Sequence, residues 1–217
     1  MTAVNIFCRP EAAYVLTDGA ATAPDGTVVQ LVQKVIILGH LNAVVASRGH
    51  LSVLFALLPT ALTSAGSFDE LAALFPEAIG GLAASAEEAL KASPHPWIET
   101  YLCGWSEGRN AAVTWYAGNS HKRTTDYFGD LECWSTTGPI TSPLGPNARD
   151  RLAAAGLDPK DGAFDPVTQG FALMDAQRAD PDAAVGGFCQ LTTITRDGVS
   201  SRVIGRWTEQ PGGMIVA

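Results

Sequence analysis

The sequence predicts an α+β fold arranged as a four-layer αββα sandwich, two antiparallel sheets flanked by helices. Short strand-like runs come in pairs around turn residues, the mark of hairpins. Longer Leu- and Ala-rich stretches separate those pairs, so the order is strands, helices, strands, helices, strands rather than the strict alternation of a parallel α/β chain. The 217 residues are 47% apolar, enough material for one core, and a single domain over residues 1–217 is expected.

In chain order, Asn5 to Cys8 and Ala12 to Leu16 read as a first hairpin around Arg9-Pro10-Glu11. Asp18-Gly19 breaks the second run, and a loop rich in Ala, Thr, Pro and Gly is expected through Asp25-Gly26. Lys34 to Leu38 and Ala43 to Ser47 form a second hairpin over Gly39-His40-Leu41-Asn42. Two helices follow, Leu51 to Leu62, shortened or kinked by Pro59, and Phe68 to Ala92, with Ser67 and Asp69 near its N-cap. Trp97 to Trp105 and Asn110 to Ala117 make a third hairpin around Ser106-Glu107-Gly108-Arg109. Arg123 to Trp134 holds one or two short strands, and Thr136 to Asn147 reads as loop. Asn147 to Ala155 and Pro166 to Arg178 are helical, and Gly187 to Thr195 with Ser200 to Trp207 close the chain as a hairpin around Arg196-Asp197-Gly198.

The net charge of -8, with Lys and Arg scattered singly, argues against nucleic acid or an anionic membrane as partner. The first residues lack the charged-then-apolar order of a secretory leader, and the apolar stretch from Val35 to Leu62 is broken by His40, Asn42, Arg48, His50 and Pro59, so a cytoplasmic protein is expected. Cys8, Cys103, Cys133 and Cys189 lie far apart and share no ligand spacing with His40, His50, His95 or His121, so neither a zinc site nor a disulfide framework is indicated, and no cofactor is expected. There is no P-loop, dinucleotide glycine pattern, H-E-x-x-H or G-x-S-x-G.

Position 2 is a threonine, Asp18 lies sixteen residues on, and Lys34 sixteen beyond that. Asp18 opens the string Asp18-Gly19-Ala20-Ala21-Thr22, and Ser47-Arg48-Gly49 makes a later small-residue turn. At these residues the chain resembles the proteasome β-subunit family of N-terminal nucleophile hydrolases, and within it the bacterial HslV-like branch. The resemblance implies a mature N-terminal threonine as nucleophile, here Thr2 after removal of Met1, supported by Asp18 and Lys34, with the Gly49 amide as oxyanion donor. It also implies that Thr22 helps to bind substrate backbone, although that residue equally suits a cap on the loop. Ala21 and Arg48, with Val35, fall near positions suited to a specificity pocket. Asp182-Ala183-Ala184-Val185-Gly186-Gly187 is similar to the family's Asp-x-x-Ser-Gly-Gly, which makes Asp182 a supporting residue and puts Val185 where the serine stands. For the family's other supporting serine, Ser135 and Ser142 are the candidates.

The chemistry explains the residue types. A threonine hydroxyl needs a base, and a free α-amine with an unperturbed pKa of about 7.7–8.0 can serve, directly or through water. A lysine ammonium beside it favours the alkoxide and lowers the amine's pKa, while an aspartate holds the lysine. An oxyanion donor contributes roughly 2.7–4 kcal/mol in other hydrolases. Three functions are compatible with these residues: a threonine peptidase or amidohydrolase acting through an acyl-enzyme, an inactive structural or assembly protein on the same fold, and an amidase for small molecules. The resemblance further implies a homo-oligomer, a peptide or unfolded-protein substrate and an ATP-dependent unfoldase as partner.

Overall fold

Proline and charge at Arg9-Pro10-Glu11 interrupt two apolar runs, and the chain accordingly opens as a hairpin. The structure is a computed structural model that describes residues 3–23, 25–49, 65–85, 88, 97–119, 131–180 and 183–215. Its elements are β1 (Val4–Cys8), β2 (Ala12–Asp18), β3 (Ala20–Thr22), β4 (Val28–Leu31), β5 (Val35–Leu38), β6 (Ala43–Gly49), α1 (Phe68–Ser85), β7 (Ile98–Ser106), β8 (Ala111–Gly118), β9 (Glu132–Thr136), α2 (Pro146–Ala154), α3 (Pro166–Arg178), β10 (Phe188–Thr195) and β11 (Gly198–Arg206). The strands form a four-stranded sheet in the order β1-β2-β10-β11, a five-stranded sheet β5-β6-β7-β8-β9 and a two-stranded sheet β3-β4. Among the described residues every strand pairing is antiparallel, and the first and last hairpins meet through β2 and β10.

Alternation along the strands sends side chains to different clusters. Val4, Ile6 and Val15 of the four-stranded sheet pack with Val44, Tyr101 and Cys103 of the five-stranded one. The intervening Phe7 and Leu16 join Leu152 of α2 and Leu173 and Met174 of α3. Phe68, Leu71, Phe75 and Ile79 of α1 cover Val45, Leu102 and Val113 of the five-stranded sheet. Each such side chain, fully buried, contributes about 1.5–3 kcal/mol of transfer free energy. The start of α1 is fixed by the Ser67 hydroxyl, which accepts the Glu70 amide at 3.2 Å, while the Glu70 carboxylate reaches back to the Gly66 amide at 2.7 Å.

The segment after Asp18 departs from expectation. Instead of a loop, it is the two-stranded sheet β3-β4, so the described residues form three sheets where two are expected. Asp25-Gly26 becomes its turn: Gly26 has φ +88°, and the Asp25 carboxylate accepts the Thr27 amide at 2.9 Å. Only Val28 of β4 is buried, so the strand carries little hydrophobic pattern, and its other edge is paired from far along the chain, with Val28 N donating to Gly213 O and Gly212 N to Val28 O, both at 2.8 Å. β2 also runs on through Thr17 and Asp18, two residues beyond the expected strand. The expected helix from Leu51 to Leu62 and the strand region from 123 to 130 lie outside the described residues, as does most of Phe68 to Ala92 beyond Ser85; β9 covers the end of the second of these. The stretch 137–145 is irregular as expected, with Ile140 bridging to Ile6 on the outer edge of β1.

Candidate active site

Two hairpins bring the site together. In the first, Val4 stands opposite Thr17, so the register continued by one residue sets position 3 opposite Asp18. The Ala3 amide indeed donates to Asp18 Oδ1 at 3.0 Å. The second is the β3-β4 excursion: Ala20 pairs with Leu31, and Val32 N donates to Gly19 O at 2.8 Å, which returns the chain to its starting point two residues before Lys34. The sixteen-residue step from Asp18 to Lys34 is thus the length of one hairpin. Between β2 and β3, Gly19 is required by close approach, because the Phe188 ring occupies the space where a Cβ would stand.

Lys34 Nζ donates to both carboxylate oxygens of Asp18, at 2.9 and 2.8 Å, and to the Ala20 carbonyl at 2.6 Å. Asp18 Oδ2 accepts the Ala20 amide at 3.2 Å and the Gly186 amide at 3.4 Å. The relative exposures of Asp18 and Lys34 are 0% and 1%, so both charges depend on these partners rather than on water. Burial lowers the Lys34 pKa, and the Asp18 carboxylate opposes that shift. Cys189, opposite Asp18 on β10, has its thiol pushed up to about 12 by burial and by the Asp18 charge, which makes it a neutral wall of the site.

The remaining predicted residues distribute as follows. Gly49 ends β6 with φ +90°, and the Trp97 carbonyl and ring lie against its Cα, so a glycine is needed there on both counts. Arg48 is buried and pairs with Glu99 at 2.6 Å, its guanidinium 5.5 Å from the centre of the Trp97 ring. Ala21 and Thr22 stand half-buried in β3, at the bulge where β3 shifts register against β4. Thr2 and Asp182 lie outside the described residues. Val185 is buried with Leu173 and Cys189 in the helix-side core. Of the two serines, Ser135 is in β9 opposite Trp115, whereas Ser142 reaches the first strand: its hydroxyl accepts Val4 N at 2.8 Å and donates to Val4 O at 2.9 Å. Sequence reasoning missed the backbone groups of Gly186 and Ala20 as partners of the ion pair, since a main-chain amide or carbonyl leaves no trace in residue type. Among the described residues no group of His, Cys, Asp and Glu could hold a metal ion, and no helix is long and apolar enough to cross a membrane.

No family model and no curated protein matches the chain. Among solved structures, it is similar to Anbu (ancestral beta-subunit) from Yersinia bercovieri, with a TM-score of 0.62 over 94% of this chain and 87% of that one, at 14% identity. The likeness is one of fold, a mixed α/β architecture.

Proposed function

We propose that the chain is an N-terminal-threonine hydrolase that cleaves peptide or amide bonds through an acyl-enzyme on Thr2 once Met1 is removed. The Ala3 amide carries this reading. Its nitrogen is covalently joined to the carbonyl carbon of residue 2 and donates to Asp18, whose carboxylate also holds Lys34. The packing of α1, the two large sheets and the α2-α3 pair supports a four-layer αββα sandwich to which β3-β4 is added. The fold shared with Anbu, an ancestral beta-subunit, agrees with that architecture.

In this mechanism the α-amine of Thr2 accepts the hydroxyl proton as the oxygen attacks the substrate carbonyl. The Gly49 amide donates to the resulting oxyanion, and the Lys34 ammonium favours the alkoxide, held in place by Asp18. Collapse breaks the carbon–nitrogen bond, the α-ammonium returns its proton to the leaving amine, and water, activated by the same amine, releases the acyl group. Asp182 supports Thr2, and Ala21, Thr22 and Arg48 line the substrate side. By its likeness to proteasome β-subunits, and to the HslV-like branch among them, the chain assembles into a homo-oligomer and takes peptide or unfolded protein from an ATP-dependent unfoldase.

A second reading, an inactive structural or assembly protein on the same fold, is favoured by one observation. Val185 is 1% exposed in an apolar cluster where the resemblance calls for a serine. Intact mass and covalent labelling separate the two. The hydrolase reading expects a chain beginning at Thr2 that takes one epoxyketone or β-lactone per protomer, with Thr2→Ala unlabelled. Retained Met1, or equal labelling of Thr2→Ala, overturns it. The third reading, a small-molecule amidase, shares the nucleophile and is distinguished by turnover of short amides without turnover of peptides.

A further inference from the structure

Glu209 is a buried carboxylate to which the mechanism gives no role. It lies in the segment that follows β11 and is 6% exposed. Its Oε2 accepts the Gly187 amide at 3.1 Å, and its Oε1 pairs with Arg178 at the end of α3. Beside it, Trp207 N donates to Gly187 O at 3.0 Å, so both main-chain polar groups of Gly187 are bound by the same segment. Gly187 has φ +75°, a conformation that glycine adopts without penalty and that these two bonds hold in place.

The adjoining residue faces the site. Gly186 O accepts Gly19 N at 3.1 Å and Ala20 N at 3.0 Å, and Gly186 N donates to Asp18 Oδ2 at 3.4 Å. Gly186 therefore holds the backbone just after Asp18 through its carbonyl and the carboxylate itself through its amide. The segment carrying Glu209 continues to Gly212 and Gly213, which bond Val28 of β4, the strand that leads back to Lys34. One stretch of chain thus braces both the loop against Asp18 and the hairpin that delivers Lys34. A carboxylate suits this place because its two oxygens accept from Gly187 and Arg178 at once, whereas an amide has a single acceptor oxygen.

We propose that Glu209 is a positioning residue for the Thr2, Asp18 and Lys34 site, acting through the Gly186-Gly187 loop. This rests on the hydrolase reading above. Glu209→Gln keeps the shape and removes one acceptor; Glu209→Ala removes both. Amide hydrogen exchange and the kinetics of β-lactone labelling at Thr2 are measured on the full chain. In both variants the amides of Gly19, Ala20 and Gly186 are expected to exchange about 3- to 10-fold faster, as for loss of one hydrogen bond, while those of Leu102 and Cys103 in β7 stay at their original rates. The maximal labelling rate falls by a similar factor with the inhibitor's half-saturating concentration unchanged. Acceleration confined to Gly187, or a raised half-saturating concentration at an unchanged maximal rate, overturns the proposal. If Glu209→Ala loosens every amide alike, Glu209→Gln decides by the same two criteria. An original protein that takes no label at Thr2 removes the hydrolase reading, and exchange at Gly19 and Ala20 then still judges the link from Glu209 to Asp18.

Discussion

Lys34–Asp18 and Arg48–Glu99 are both buried ion pairs, yet they are anchored in opposite ways. Arg48 and Glu99 face each other directly across β6 and β7, so strand register alone brings them together. Among the described contacts of that pair are two side chains from the same strand end: the Tyr101 phenol donates to Glu99 at 3.1 Å, and the Trp97 ring lies against Arg48. Burial and the Glu99 charge push the Tyr101 pKa up, which keeps the phenol a donor. Asp18 and Lys34 instead gather main-chain groups from the start of β1, the junction of β2 with β3 and the loop before β10. The first pair follows from a sheet that exists without it. The second is a junction at which charge holds separate segments in place, and its loss should spread further through the chain.

The largest effect tests that contrast directly. Asp18→Asn leaves the Lys34 ammonium buried without its counter-charge and should cost about 3–5 kcal/mol in urea unfolding. Glu99→Gln likewise removes the counter-charge of a buried cation, but it disturbs a pair already aligned by the β6-β7 register and should cost less, about 1.5–3 kcal/mol. Equal losses would remove the distinction between the two pairs. Next in size, Gly49→Ala should cost about 1–3 kcal/mol through its left-handed backbone. It should also displace Trp97 from Arg48, read as a change in tryptophan fluorescence. An unchanged melting temperature and spectrum would show that the end of β6 yields freely.

The smallest effect is a slope with pH. The folded-state pKa of Lys34 lies below its ordinary value of 10.5, with burial as the main cause. Between that lowered pKa and 10.5 the unfolded chain therefore binds more protons than the folded one, and stability gains from this group as pH rises. Below the lowered pKa the cost of burying the ammonium is present in full. The stability difference between the original protein and Lys34→Met should accordingly grow in favour of the original protein as pH rises through that window. A flat or falling difference would mean that Asp18 fully offsets the burial of Lys34.

Much of this arrangement is legible in the order of residues. The hairpins at Arg9-Pro10-Glu11, Ser106 to Arg109 and Arg196-Asp197-Gly198 appear near the expected residues, because turn chemistry and apolar runs act over a few positions. The capping serine of α1 is visible for the same reason. The pairing of Asp18 with Lys34 is what the family resemblance implies; the spacing on which that resemblance rests is the length of a hairpin whose residues have the composition of a loop. β4 carries too few buried residues to announce itself, and its partners come from Gly212 and Gly213.

Short-range chain chemistry, then, is sufficient for the hairpins and helices that fall near their expected residues but not for β3-β4, and the residues of the candidate site are those the family resemblance implies. Tertiary structure decides what surrounds that site. It sets Gly186 against Asp18, Glu209 against Gly187, and Ser142 against the main chain of Val4. Each of these contacts joins residues more than twenty positions apart, through a backbone group on at least one side. Backbone groups are common to nearly every residue, so only the folded path of the chain selects which of them meet.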